Sequence, residues 1–215
     1  MKSLRFGAPF VLVMLSCASS APQPVPQCAA VPEPAKPEVV PIITKVDGVA
    51  TVDYEAVTPP GYLVSTFAGI EFYSDDTVTL TEDQLEQYHW IVAFAIEKAA
   101  QTLGIEPYVV HSAIVGYKVF LTSEIFLCPP ESAPEGAMCL GLTYLNKRTI
   151  WVEHHVCAAN SSLAHELAHV FHVLKDGRGD GRHDDPEFFY APSSITEVTN
   201  TLVERSICNR PSMSK

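Results

Sequence analysis

A chain of 215 residues, 47% hydrophobic and 18% charged, is long enough for one domain that buries most of its apolar surface. Its net charge of −11 speaks against nucleic acid as a partner, because phosphate binding needs a basic footprint. No internal repeat interrupts it, and its six cysteines point to an oxidising compartment.

The first 16 residues combine a short basic opening (Lys2, Arg5) with an apolar run that ends Phe10-Val-Leu-Val-Met-Leu15. Such a stretch is too short to span a membrane and reads as an export signal. Its end, Met14-Leu15-Ser16-Cys17, resembles a bacterial lipobox, which implies lipidation at Cys17 and a membrane anchor; Met14 departs from the commonest residue there. Loss of the leader takes the charge from −11 to −13, since Lys2 and Arg5 go and no acid does. Residues 17–45 follow as a proline-rich tether, with Pro22, Pro24, Pro26, Pro32, Pro34, Pro37 and Pro41 favouring extended polyproline. The globular domain is expected over 46–215.

Within it, Gly69–Tyr73 reads as a strand. Thr81-Glu-Asp-Gln84 is a capping box, and Leu85, Tyr88, Val92, Ile96, Ala99 and Leu103 recur at helical spacing up to Gly104, predicting a long scaffold helix. Residues 113–121, 141–144 and 148–153 read as further strands. The cysteines Cys128 and Cys139 flank a loop that a bridge would close, and Cys157 and Cys208 can join the start of the next helix to the C-terminal segment. Cys28 is then left over.

The most informative stretch is Ser161-Ser-Leu-Ala-His165-Glu166-Leu-Ala-His169-Val-Phe-His-Val-Leu174. Residues four apart lie on one helix face about a turn apart, so His165 and His169 can point at one metal. Glu166 is rotated away from that face, suited to act as general base on a water beside zinc. Leu163, Leu167, Val170, Phe171 and Leu174 form an apolar stripe; Asn160 or Ser161 can cap the start, and Gly177 can end the helix. His172 shares the histidine face but lies about 4.5 Å beyond His169 along the axis, which gives it a supporting role. His154 and His155, at a strand end, read as polar surface before they read as site residues.

A catalytic zinc needs three protein ligands and an open position. Metzincin spacing is excluded, because its Gly and His positions hold His172 and Lys175. Glu197, in Ser194-Ile-Thr-Glu-Val-Thr-Asn200, is the candidate if the third ligand is a gluzincin-type glutamate from a later helix. Alternatively, Asp176-Gly-Arg-Gly-Asp-Gly-Arg182 leads to His183-Asp-Asp-Pro-Glu-Phe-Phe-Tyr190, and the span 161–190 resembles the SprT-like and WLM-like zincins. That resemblance implies ligands His165, His169 and His183, base Glu166, and an α+β zincin-like fold with a small, mostly antiparallel sheet, a long back helix and the metal helix. From their own chemistry, Asp180, Asp184 or Asp185 can orient a ligand imidazole or, equally, bind calcium in an Asp-Gly-rich loop that lacks EF-hand spacing, and Tyr190 reads as a packed aromatic before it reads as a donor to an oxyanion. The expected activity is zinc-dependent hydrolysis of peptide bonds in the cell envelope, with a peptide substrate along a strand such as Arg148–Glu153. The alternative is a non-catalytic envelope lipoprotein with a structural zinc site.

Overall fold

The structure, a computed structural model, describes residues 39–56, 58–179 and 181–208. The leader, Cys17, Cys28 and Asp180 lie outside the described residues. A hairpin comes first, β1 (Thr44–Val46) with β2 (Val49–Thr51), turning through Asp47 and Gly48 at φ 52° and 81°. Positive φ at both turn positions is what an Asp-Gly dipeptide favours, so the signal for this hairpin stands in the sequence although no strand was expected there. The packed chain also starts before the boundary expected at 45. Ile42 and Ile43 are buried, and the Ile42 amide donates to the buried Asp75 Oδ2 at 2.7 Å.

The main sheet has five strands in the order β3-β4-β5-β9-β8: Tyr62–Phe67, Ile70–Ser74, Lys118–Thr122, Thr149–Glu153 and Gly141–Tyr144. It is mixed, which corrects the mostly antiparallel sheet of the sequence reading. The outer pairs β3-β4 and β9-β8 are antiparallel, whereas β4-β5 and β5-β9 are parallel. Parallel neighbours need long crossovers, and two helices between β4 and β5 supply the first of them. These are α1 (Glu82–Leu103) and α2 (Pro107–Ile114). The stretch 113–121, expected as a strand throughout, is the end of α2, a turn, and only then β5. Pro107 at the first helical position was the overlooked start signal.

The scaffold helix α1 matches its expected bounds. Thr81 and Gln84 form the reciprocal capping box, and Gly104 closes the helix at φ 65°. Its face of Tyr88, Ile91, Val92, Ala95 and Ala99 packs with Phe72, Val119, Ile150 and Val152 of the sheet. On the sheet's other face, Phe120 and Trp151 stack at 5.1 Å under the N-terminal hairpin. β9 lies between β5 and β8, so both its edges are paired and no substrate strand can join it. The expected substrate strand 148–153 is thus corrected: the edge strand beside the histidine helix is β8.

The histidine helix is α3 (Leu163–Asp176), packed on α1, α2, β8 and α4 (Ile195–Val203). Leu163, Leu167, Val170 and Phe171 are buried as expected, each contributing on the order of 1.5–3 kcal/mol, but Leu174 is 38% exposed. Gly177 closes the helix at φ 77°; its first residue follows Ser162, not Asn160 or Ser161. A short two-strand unit, β6 (Phe126–Leu127) with β7 (Met138–Cys139), carries the 128–139 loop. Cys128 bridges Cys139, and Cys157 bridges Cys208, which ties the approach to α3 to the end of the α4 segment. Two disulfides are the mark of folding in a non-reducing compartment. No helix of the described residues is long and apolar enough to cross a membrane.

Candidate metal centre

Three imidazoles converge at the α3 surface. The Nε2 atoms of His165 and His183 are 3.1 Å apart, and those of His183 and His169 are 3.0 Å apart. The three residues form a group able to hold a metal ion. A tetrahedral ion with metal–nitrogen distances of about 2.0–2.1 Å spaces its nitrogens by about 3.4 Å, so the observed spacing fits such an ion within a few tenths of an ångström. Burial, and then the neighbouring His183, push the His165 pKa down to about 4. A neutral imidazole is the form that ligates a cation.

Two of these residues reach the point by helical periodicity. The third arrives on the loop after α3, where His183 has φ 58°, a left-handed backbone that costs roughly 1–2 kcal/mol outside glycine. Other contacts hold that loop. The buried His172 donates from Nδ1 to the Arg178 carbonyl at 2.9 Å, and its Nε2 lies 3.3 Å from Asp185 Oδ2. Lys175 Nζ donates to the same Asp185 oxygen at 2.6 Å. Asp185 thus braces the loop through His172 and Lys175. Gly179 lets the loop pass close to α3, since a Cβ there would lie 3.2 Å from the His169 carbonyl oxygen and would displace Leu145 Cδ1, 2.6 Å away.

Beneath the triad lies Phe189, 1% exposed, with ring centroids 5.1, 4.7 and 4.8 Å from His165, His169 and His183. Phe188, the first aromatic after His183, packs instead against His172 at 4.7 Å. Tyr190 is exposed, its ring edge-on to His183 at 5.9 Å. Glu197 is exposed on α4 and outside the histidine group, which corrects its place as alternative third ligand. Asp184 is exposed as well. His154 bonds to the Tyr88 hydroxyl at 2.9 Å and His155 to Glu153 at 3.2 Å, so both are engaged away from the triad.

Glu166 is buried against β8. The Thr143 hydroxyl donates to its Oε2 at 2.8 Å, and burial raises its pKa to about 8 despite that bond. A divalent cation nearby favours the carboxylate and opposes this rise. Gly141 allows the close approach: a Cβ at that position would fall 2.7 Å from Glu166 Oε1 and 2.1 Å from Ser162 Oγ. Glu166 and the three histidines line one cavity of about 340 Å³, bounded also by β8 and by Glu131 and Ser132 of the disulfide-closed loop. Sequence reasoning did not find Thr143, Gly141 or Phe189. Their roles come from packing between distant segments, and only the Phe-Phe pair at 188–189 hinted at the last. Compared with protein families, curated proteins and solved structures, the chain finds no match.

Proposed function

We propose that this chain is a zinc peptidase that acts outside a reducing compartment. The observation that carries the reading is the convergence of three imidazole Nε2 atoms on one cavity wall with the buried carboxylate of Glu166. His165, His169 and His183 would hold the metal; three nitrogen ligands with room for a fourth group are typical of catalytic zinc. When bound, zinc supplies Lewis acidity toward a carbonyl and lowers the pKa of a coordinated water. Glu166 accepts the proton of the attacking water and delivers it to the leaving amine. Thr143 holds the carboxylate in position meanwhile. An extended peptide would lie along the free edge of β8, offering backbone groups to an unpaired ladder. Tyr190, exposed and edge-on to His183, is the candidate donor to a developing oxyanion. In this reading the chain is exported and anchored by lipid at Cys17, and its substrates are envelope peptides or proteins.

The test is a comparison of the zinc-loaded protein with Glu166→Gln on a broad peptide mixture. The variant should keep its zinc and lose roughly 10²–10⁴ in rate. A wild-type protein that holds zinc tightly and cleaves nothing would point to the structural role instead. Detergent phase partition of the intact protein and of Cys17→Ser checks the anchor: equal partition into water by both would remove it.

A further inference from the structure

The cavity that holds the triad carries a second carboxylate. Glu131 lines it from the 128–139 loop, together with Ser132 and Cys139, and its side chain is exposed. Among the described residues no lysine or arginine lines that cavity, and besides the histidines its charged residues are Glu131 and Glu166. Glu166 is buried against β8, so Glu131 is the carboxylate open to a ligand.

Glu131 is also held in place. Its Oε1 accepts from the Tyr144 hydroxyl, and that bond keeps the carboxyl below the ordinary carboxylate range, so it is an anion at neutral pH. Lys147, whose charge acts in the same direction, is itself paired with Glu55 at 2.6 Å and donates to the Tyr54 carbonyl at 2.8 Å. The loop is closed by the Cys128–Cys139 bridge and turned by the Ser132 and Ala137 amides, which donate to the Pro129 and Pro134 carbonyls at 2.9 and 3.0 Å. Cys139 stands just before β8 and Tyr144 is the last residue of that strand, so the loop is attached at both ends of β8. A peptide lying along β8 would therefore meet the charge that this loop presents.

We propose that Glu131 determines specificity: it makes the triad cavity a subsite for a cationic substrate side chain, lysine or arginine. The inference rests on the peptidase reading for the identity of its ligand. Leu142 and Leu145, which also line the cavity, offer apolar surface to the methylene stem, while the cationic head meets Glu131. An acidic side chain would face two carboxylates, and an alkyl one would leave Glu131 without a counter-charge.

The experiment uses the mature, zinc-loaded protein and fluorescent peptide hydroxamates that anchor on the metal. They carry Lys, its uncharged analogue norleucine, or Glu at either of the two positions next to the hydroxamate, and binding is read by anisotropy. At one of these positions the wild type should bind the Lys probe about two- to fivefold more tightly than the norleucine probe, the range of a solvent-exposed ion pair, and the Glu probe less tightly than either. The preference should shrink as salt is raised. Glu131→Gln should bring the Lys and norleucine probes level, and Glu131→Lys should turn the preference toward the Glu probe, both with zinc content unchanged. Equal binding of Lys and norleucine probes by the wild type at both positions, or a Lys preference that survives Glu131→Lys, overturns the proposal. Cleavage of the parent peptides is measured separately. A Lys preference without cleavage sinks the peptidase reading and leaves the subsite standing, whereas cleavage without that preference sinks the subsite alone.

Discussion

Helix α3 and the loop behind it bring imidazoles to one point by different means. On α3, His165 and His169 are placed by the helix itself, whose buried Leu163, Leu167 and Phe171 fix its rotation. On the loop, His183 sits at φ 58° and is held from outside, through His172, Asp185 and the floor of Phe189. A ligand set by periodicity fails only when its own residue or the helix fails. A ligand set by capture has weak points several residues away, and these should be measurable.

The largest effect should come from the loop ligand itself. His183→Ala should weaken zinc binding by more than about 100-fold, beyond what loss of a supporting residue costs, and should match His169→Ala in competition with a chromogenic chelator. A small loss for His183 with a large one for His169 would break the comparison at its centre. Next, the helix side can be loosened at its mooring. Removing the Cys157–Cys208 bridge by paired serine substitution should cost about 2–4 kcal/mol in urea unfolding. The Cys128–Cys139 pair, which spans 11 residues against 51, should cost roughly 1 kcal/mol less on loop entropy.

A third substitution probes capture directly. His172→Ala, away from the metal, should lower zinc affinity about 10- to 100-fold, and His172→Asn should recover part of it because an amide N–H can still reach the Arg178 carbonyl. No loss in either would show that the loop holds its shape unaided. The smallest effect belongs to Glu197→Ala, an exposed change on α4, which should leave zinc affinity within about twofold.

The same contrast explains what could be read in advance. The two bridges were nameable as pairs, but their connectivity is settled by the fold and not by spacing. The capping box at Thr81 and the buried stripe of Leu163, Leu167, Val170 and Phe171 on α3 were legible because each follows from spacing along the chain. The parallel strand pairs were not, since register between β4, β5 and β9 is set by crossovers that no local pattern encodes. Strand β3 escaped for a narrower reason: its turn into β4 uses Ala68 at φ 50° before Gly69, where Asn or Asp would have announced a hairpin. Thr143 was hidden because the grip on Glu166 joins an edge strand to a helix 23 residues later.

Phe189 has one more consequence. It belongs to the hydrophobic core and also touches every imidazole of the triad, so the site and the core share a residue and should unfold together. Ion binding then becomes linked to the folding equilibrium of the domain. Free metal at 100 times its dissociation constant adds about 2.7 kcal/mol to a native state that alone binds it. Chelation, acting on three side chains at the surface, would therefore be felt as a lower melting temperature of the α1–α3–α4 core.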